Sequence, residues 1–281
     1  MKIKRKNIWI TGAKAVAGGI ILIIALFPIY WLLLMAIRPA NQNMEAISLI
    51  PRGITFQYFR QLFQDKGFDV ALKNSLINSI VSLFFSLVLG LCTSYVLARK
   101  RFDFPVRKPM TGWIFLIRIL PPVAFIIPLY IIFEKLGILE TRLPIILACI
   151  LINLPLVIWF MLTFFKDVPE EMEESAKMDG ASEWQIFFKI ILPLVLPGIA
   201  AVAMLSFMYS WNEYTYSIIL TRSPKNYTIP LALAVLNTED NVTNFGLVSA
   251  GGITSFLPMA LFVLFAQNYL ISGLSSGAVK E

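Results

Sequence analysis

The sequence predicts an all-α, polytopic membrane protein with six transmembrane helices and both termini in the cytoplasm. Of its 281 residues, 58% are hydrophobic and 15% are charged, whereas an average soluble domain has roughly 25% charged residues. The mean hydropathy is +0.75. Stretches such as 15–37 and 143–165 carry no charge at all, and about 20 apolar residues are enough for a helix to cross a bilayer. These observations exclude a soluble globular enzyme.

Six apolar stretches have the length of membrane spans. The first follows a basic N-terminus, but it is longer than the apolar core of about 7–15 residues found in signal peptides, so we expect an uncleaved helix. The third contains Pro121, Pro122 and Pro128, which interrupt its backbone hydrogen bonds and either free carbonyls to line a cavity or only kink the helix. The predicted spans are 15–37, 76–98, 111–133, 143–165, about 194–220 and about 247–270.

The distribution of Lys and Arg over the loops sets the predicted orientation, because basic residues are retained on the cytoplasmic side. With the N-terminus inside, the inner segments hold fourteen of these residues and the outer loops hold nine, although the outer loops are longer in total. The excess of 24 basic over 17 acidic residues therefore reflects topology, and no nucleic-acid partner is expected. Two outer loops, about 38–75 and about 221–246, are long enough to fold back over the outer mouth.

The loop between the fourth and fifth spans has an unusual composition. Residues 166–189 include seven acidic and three basic side chains, on the face where connecting loops are usually basic. Pro169 and the glutamates after it predict the start of a short helix, which Gly180 ends because glycine takes a left-handed turn without penalty. Ser182 and Gln185 match a capping box that starts a second helix. From this pattern alone, a plain connector and a docking surface for a cytoplasmic partner explain the loop equally well.

Several motifs carry a resemblance to a known family. The run Glu174-Ser-Ala-Lys-Met-Asp-Gly-Ala181, followed by Leu192-Pro193 and Pro197-Gly198, resembles the EAA loop of binding-protein-dependent ABC importer permeases. Further segments are similar to the carbohydrate-importer, maltose-permease-like branch of that family, and together they cover nearly the whole chain. The one departure noted is Ser175, where the family usually has alanine. The further segments are Asn74-Ser-Leu76, Pro128-Leu129, Trp211-Asn-Glu213 and residues 273–280.

The resemblance implies a function, a domain organisation and a set of partners. Residues 1–281 would form a single ABC importer transmembrane domain, a permease subunit that provides half of the translocation pathway for a sugar or polyol. It would lie as a multi-pass protein in a prokaryotic cytoplasmic (inner) membrane. Its partners would be membrane lipid, a second permease that is a different chain, two ATP-binding subunits and an extracytoplasmic solute-binding protein. Residues 166–191 would form the cytoplasmic coupling loop, which contacts the ATPase through Glu174, Ser175, Ala176, Asp179, Gly180 and Ala181.

Polar groups inside the predicted spans are candidates for the translocation pathway. Arg118 is costly at membrane depth and lies either in the pathway or against a neighbouring helix; its Arg-Ile-Leu-Pro-Pro context resembles polyol importers. Asn153 either lines the pathway or makes a hydrogen bond between helices. Trp211 and Asn212, with Glu213 beside them, either belong to an interfacial aromatic belt or contact a sugar ring and its hydroxyls.

The chain lacks the groups that would supply energy or catalysis. It has no Gly-x-x-x-x-Gly-Lys-Ser/Thr motif, so it does not cradle nucleotide phosphates itself, and ATP with Mg²⁺ is expected on the partner ATPase subunits. It has no histidine, and no cofactor, metal or catalytic residue is expected in it. The alternative function is an ion-coupled secondary sugar transporter, which usually needs an intramembrane carboxylate. Glu213 is the single candidate for that role.

Overall fold

The structure of the chain, a computed structural model, describes residues 2–39, 48–102, 104–238 and 244–277. Regular structure in these ranges is helical throughout, as the sequence predicts. A π-helical segment, Ile186–Ile191, connects α8 to α9, and a 3-10 turn, Pro224–Asn226, precedes α12. The α-helices are α1 Lys2–Ile37, α2 Gln57–Gln64, α3 Phe68–Ala98, α4 Arg107–Ile119, α5 Val123–Lys135, α6 Leu143–Asp167, α7 Glu171–Met178, α8 Glu183–Gln185, α9 Leu192–Leu194, α10 Leu196–Trp211, α11 Ser217–Leu220, α12 Ile229–Thr238 and α13 Phe245–Gly277.

The six predicted membrane spans correspond to four single helices and two bent pairs. The pair α4 and α5 is bent by 101°, and the pair Glu183–Leu194 and Leu196–Trp211 is bent by 75°. With each bent pair counted as one span, the described residues contain up to six candidate spans, and the fifth predicted span, about 194–220, overlaps the second arm of its pair, Leu196–Trp211. The single helices that are long and apolar enough to cross a membrane are Thr11–Ile37, Phe68–Ala98, Leu143–Asp167 and Phe245–Gln267.

The third predicted span breaks at its paired prolines. α4 ends at Ile119, and Leu120 is extended, with a ψ of 135°. Steric conflict with the Pro121 ring drives the residue before it out of the helical region, which explains why the helix stops here. α5 then starts directly after Pro122 and continues through Pro128 without ending.

The fifth predicted span is irregular at its start and shorter than expected. Val195 separates α9 from α10 with a φ of −96° and a ψ of 7°, and Pro197 lies in the first turn of α10. α10 ends at Trp211, and residues 212–220 form a turn followed by the short helix α11. The side chains just after Trp211 are therefore presented from a turn rather than from a helix.

The described chain divides into two compact units. The first comprises the described residues of Met1–Phe68 and Leu233–Phe256, and the second comprises those of Asp69–Ala232 and Leu257–Glu281. In the first unit, the buried Tyr58 ring of α2 lies so close to Gly246 that an added Cβ would be 2.3 Å from it. Only glycine permits that approach.

The second unit is built around α6, which packs against α4 and α10. Two glycines allow the helices to approach each other closely. A Cβ on Gly90 of α3 would lie 2.4 Å from Cγ1 of Val157, and a Cβ on Gly198 of α10 would lie 2.6 Å from the ring of Phe164. Because core packing is close to that of a crystal, these contacts fix where α3 and α10 lie against α6.

A hydrogen-bonded clasp holds the segment between α11 and α12 to the second unit. The fully buried side chain of Asn74 donates to the carbonyls of Lys225 and Tyr227, both at 2.9 Å, and accepts from Nε of Arg142 at 2.8 Å. The hydroxyl of Ser75 accepts from the Ile229 amide at 2.8 Å. The Asn74-Ser75 pair thus fastens this segment to the starts of α3 and α6.

Candidate functional site

The 166–191 segment forms a helical elbow, with α7 before the turn and α8 after it. α7 ends in a Schellman motif: the Gly180 amide bonds to the Lys177 carbonyl at 2.9 Å, and the Ala181 amide bonds to the Ala176 carbonyl at 3.0 Å. Gly180 has a φ of +81°, the left-handed conformation that the sequence predicts for it. Pro169, however, precedes the N-cap residue Glu170 instead of occupying the first helical position.

The second arm of the elbow begins with the predicted capping box. The Ser182 hydroxyl accepts from the Gln185 amide at 3.4 Å, and the Gln185 side chain accepts from the Ser182 amide at 2.8 Å. Both orphan amides at the start of α8 are therefore satisfied reciprocally. The turn of the elbow is therefore hydrogen-bonded on both sides.

A buried ion pair fastens the elbow to the membrane helices. Glu173 of α7 and Arg99, directly after α3, are each about 1% exposed. Nε of Arg99 donates to Oε1 of Glu173 at 2.6 Å, and Arg101 and the Tyr95 hydroxyl reach Oε2 at 2.7 and 3.0 Å. Arg99 also donates to the carbonyls of Phe165 and Val168 at 2.6 and 3.1 Å. One guanidinium therefore joins the end of α3, the end of α6 and the first turn of α7.

One further ion pair links the two arms of the elbow, and another links the second arm to the turn after α3. Glu183, in the first turn of α8, lies 2.6 Å from Nζ of Lys177 and 2.5 Å from Arg101. The hydrogen bond from Lys177, assisted by the Arg101 guanidinium, holds the pKa of the Glu183 carboxyl below its usual value. Because Glu183 is half exposed, solvent screens these pairs, and their main effect is to orient the arms.

The elbow has an inner apolar face and an exposed outer face. Ala176, Phe187 and Ile191 join the core formed with α3 and α6, and Tyr95 packs against Phe187 with ring centroids 4.9 Å apart. On the outer face, Met178 is 88% exposed and Trp184 is 71% exposed, stacked on Phe188.

The structure divides the predicted ATPase contacts between these two faces. Glu174, Ser175, Asp179 and Gly180 are exposed, whereas Ala176 is buried and Ala181 is half-buried against the core. The two alanines are therefore placed to shape the elbow, and the four exposed residues, together with the outer aromatic pair, form a surface that another protein can reach.

Three of the five predicted pathway residues line a common cavity of about 550 Å³ between α6 and α10: Asn153, Asn212 and Glu213. The Asn153 amide nitrogen donates to the Ser210 hydroxyl at 2.8 Å, and Ser210 lies 3.0 Å from the Ser82 hydroxyl of α3. The lining combines amides and hydroxyls with apolar and aromatic side chains, a composition suited to a hydroxyl-rich solute.

The Glu213 carboxylate is already occupied by local hydrogen bonds. It accepts from the Tyr216 and Ser217 amides at 2.7 and 3.0 Å and from the Ser217 hydroxyl at 3.1 Å. It therefore holds the turn that precedes α11. A carboxylate committed to three donors within its own turn is poorly placed to bind and release a coupling ion.

The other two predicted pathway residues lie apart from this cavity. Arg118 lines an adjoining cavity of about 260 Å³, and its guanidinium carbon lies 5.4 Å from the centre of the Trp159 ring. Trp211 is 3% exposed and stacks on Phe207 at 5.6 Å, so its ring faces the protein core. The aromatic side chain that borders both cavities is Tyr209, which is 54% exposed.

Comparison with known proteins gives the family. Residues 86–276 match the family model described as the binding-protein-dependent transport system inner membrane component. The chain belongs to this family. Its resemblance to binding-protein-dependent importer permeases is thereby confirmed, and a member of the family is a membrane transport component rather than an enzyme.

Two curated relatives and one solved structure illustrate the similarity of this permease to others. It is 32% identical over 281 residues to the trehalose transport system permease protein SugB of Mycobacterium tuberculosis, with 100% of both chains covered. It is 32% identical over 264 residues to the diacetylchitobiose uptake system permease protein DasC of Streptomyces coelicolor, covering 93% of this chain and 95% of the relative. A bacterial ABC transporter involved in the import of the acidic polysaccharide alginate has the same fold, with a TM-score of 0.78 at 24% identity over 92% of this chain and 95% of that one.

Sequence reasoning missed the residues that anchor the permease elbow and the aromatic residue at the cavity. Glu173 was expected to oppose the helix dipole, and Arg99 and Arg101 were expected only to set the topology. Their partners lie more than 70 residues away along the chain, so no local pattern could pair them. Tyr209 stands two positions before Trp211, and composition alone does not say which of the two faces the cavity.

Proposed function

We propose that this permease forms half of the translocation pathway of an ATP-driven carbohydrate importer in a prokaryotic inner membrane, with both termini in the cytoplasm. Its partners are a second, different permease, two ATP-binding subunits that hold ATP and Mg²⁺, and an extracytoplasmic solute-binding protein. The family description, which names a dependence on a binding protein, supports the solute-binding partner, and the likeness to an ABC transporter supports the ATP-binding subunits. Relatives named for trehalose and diacetylchitobiose transport support a sugar or polyol substrate.

The observation that carries the proposal is the anchored elbow. A connector needs neither a buried ion pair nor an exposed aromatic pair, whereas a coupling device needs both a rigid attachment and a docking surface. Arg99 and Glu173 provide the attachment, and Met178, Trp184 and Phe188 provide the surface. Closure of the ATP-binding subunits moves the 166–191 segment, and the buried pair transmits that movement to α3 and α6.

In this proposal, the cavity lined by Asn153, Asn212 and Glu213 belongs to the pathway. The adjoining cavity, which Arg118 lines, belongs to it as well. The ion-coupled alternative is disfavoured because the Glu213 carboxylate is bonded to the turn before α11. Trp211 stabilises α10 through Phe207 instead of stacking on the solute, and Tyr209 is placed for that contact.

Reconstitution into liposomes tests this function. The importer is purified with its partners through a tag on this chain, and uptake of labelled trehalose, diacetylchitobiose and sorbitol is followed with and without ATP and binding protein. We expect the uptake of at least one of these solutes to require both ATP and the binding protein. This uptake should persist when ionophores dissipate ion gradients. Uptake by this chain alone, driven by an ion gradient, would establish the secondary transporter instead.

A pair of variants tests the pathway separately. Arg118→Gln removes the charge that borders the smaller cavity, and Lys135→Gln makes the same change at the end of α5, outside both cavities. We expect Arg118→Gln to raise the KM for the solute or alter its selectivity, with Lys135→Gln unchanged. Equal transport by the two variants would mean that Arg118 has a purely structural role.

A further inference from the structure

A separate cleft lies apart from the two cavities of the proposed pathway. It is at the end of the helices from which the 166–191 segment emerges. It has a volume of about 880 Å³ and is bounded by the end of α3, the start of α4 and the end of α6. That volume falls within the range of about 300–1,000 Å³ typical of small-molecule sites. Because α3, α4 and α6 belong to membrane spans, the cleft lies where the chain passes from the bilayer to water.

The polar side of the cleft is strongly basic. Arg107, Lys108 and Lys166 all line it, and none of the described lining residues is acidic. Arg107 is held in place by two bonds to the Leu97 carbonyl, from Nε at 3.1 Å and from an Nη nitrogen at 2.6 Å. Within the described part of the chain, neither lysine forms an ion pair with a carboxylate. Among the described lining residues, three cations therefore converge on one cleft with no carboxylate beside them.

The start of α4 adds to this positive potential. α4 begins at Arg107, and its N-cap residue, Val106, offers no side-chain bond to the first-turn amides. A helix N-terminus carries a partial positive charge that favours an anion. The contribution here is that dipole, because the Arg107 amide is already bonded to the Phe104 carbonyl at 3.1 Å and Pro109 has no amide hydrogen. The Thr111 hydroxyl, one turn further on, also lines the cleft.

The other side of the cleft is apolar and continues onto an apolar surface. Leu162 and Phe115 line the cleft, and Phe115 is 37% exposed. Trp113 and Leu116 on the same helix are 62% and 47% exposed. A ligand with a compact anionic head and long apolar tails matches both sides, whereas a free anion matches only the basic one.

We propose that this cleft is a specific site for an anionic phospholipid, with the phosphate between Arg107, Lys108 and Lys166 and an acyl chain along Phe115. Basic pockets between transmembrane helices recognise anionic headgroups in this way. The bound lipid neutralises the three cations and bridges the α3–α4 turn to the end of α6. It therefore supports the helix end to which the elbow is attached.

Native mass spectrometry of the assembled importer tests this site. The tagged chain is purified with its partners into mild detergent and titrated with phosphatidylglycerol, with phosphatidylcholine of the same chain length as the neutral control. We expect tight binding of phosphatidylglycerol and weak binding of phosphatidylcholine. Since each lysine near an anionic lipid is worth roughly five-fold in affinity, Lys108→Gln with Lys166→Gln should weaken phosphatidylglycerol binding roughly 25-fold.

Two variants control for charge and for folding. Lys100→Gln with Lys189→Gln removes the same charge from exposed positions outside the cleft and should leave lipid binding unchanged. Gly112→Leu fills the cleft without a charge change, because a Cβ at Gly112 meets no atom within 4 Å, and it should abolish the site. The mass of the intact assembly shows in the same spectrum that each variant folds.

Four results would overturn the proposal. Equal binding of the two lipids would mean that the headgroup charge is not recognised. Displacement of phosphatidylglycerol by equimolar glycerol phosphate would mean that the cleft binds soluble anions. Unchanged binding in the Lys108/Lys166 and Gly112 variants would place the lipid elsewhere, and absence of any bound lipid in the assembly would mean that a partner subunit covers the cleft.

Discussion

Replacing Glu173 by glutamine tests how firmly the elbow is attached to the membrane helices. The substitution keeps the size of the side chain and removes its charge. In the structure, the carboxylate accepts from Arg99 at 2.6 Å, Arg101 at 2.7 Å and the Tyr95 hydroxyl at 3.0 Å. Arg99 is almost fully buried, so Glu173→Gln leaves a guanidinium without its counter-ion.

Breaking a buried ion pair from one side costs about 3–5 kcal/mol. We apply this cost to the local detachment of α7 from the membrane helices. Since about 1.4 kcal/mol corresponds to a factor of ten, a cost of about 3 kcal/mol raises the population of detached α7 roughly 100-fold. Arg101 is partly exposed and retains Glu183 as a partner, so its contribution is smaller. We therefore take a 100-fold change as the expected result.

Hydrogen–deuterium exchange of the α7 amides measures this population in the detergent-purified chain. The neighbouring Glu174→Gln is the matched control, because Glu174 undergoes the same chemical change but is exposed. We expect the protection of residues 171–178 to fall roughly 100-fold in Glu173→Gln and to stay within a few-fold of wild type in Glu174→Gln. Equal protection in the two variants would refute the argument that the buried pair holds the elbow.

Three further substitutions follow from backbone and packing geometry. Gly180→Ala forces a side chain into a left-handed conformation with φ of +81°, at a cost of about 1–2 kcal/mol. Amides 179–185 should therefore exchange roughly 5–30-fold faster, and Gly180→Asn should have a smaller effect. Identical exchange rates in Gly180→Ala and the wild type would argue against backbone strain. Asn74→Ala removes three hydrogen bonds from the clasp, at a cost of about 1–3 kcal/mol. Trypsin should therefore cut faster after Lys225. An unchanged cleavage rate would mean that the clasp does not hold the segment between α11 and α12. Gly198→Ala places a Cβ 2.6 Å from an aromatic ring of α6 and should cost about 1–3 kcal/mol, seen as a lower thermal midpoint. Gly18→Ala meets open space and should not lower the midpoint, because alanine is the better helix former; equal midpoints in the two variants would contradict the packing argument.

The shape of the elbow is predictable from sequence because every rule that fixes it is local. The helix ends at Gly180, whose amide bonds to the carbonyl three positions before it, while the Ala181 amide bonds to the carbonyl five positions before Ala181. Ser182 caps the next helix through Gln185. These partners are neighbours in any conformation of the chain, so residue type and spacing are enough. The break at Pro121 is predictable for the same reason, since a proline restricts the residue before it.

The attachment of the elbow is not predictable in that way. Glu173 contacts Arg99 only after α3 and α6 pack together. In the sequence each residue has a simpler explanation: Glu173 opposes a helix dipole, and Arg99 contributes to the topology signal. The cavity lining poses a related difficulty. Tyr209 and Trp211 are two positions apart, which places them about 200° apart around a helix, so one faces the cavity and the other the core. Local composition does not distinguish the two faces, and only the packing of α10 against α6 does.

The central claim is that the 166–191 segment docks on an ATP-binding subunit, and site-specific photo-crosslinking tests it most directly. A photoreactive amino acid at Met178, which is 88% exposed on the outer face of the elbow, is compared with one at Ile23, which is 69% exposed on α1. In the assembled importer, Met178 should give an adduct with the ATP-binding subunit and Ile23 should give none. If the ATP-binding subunit co-purifies but forms no adduct with Met178, or forms it equally from Ile23, the segment is not the docking element and the account of coupling is wrong.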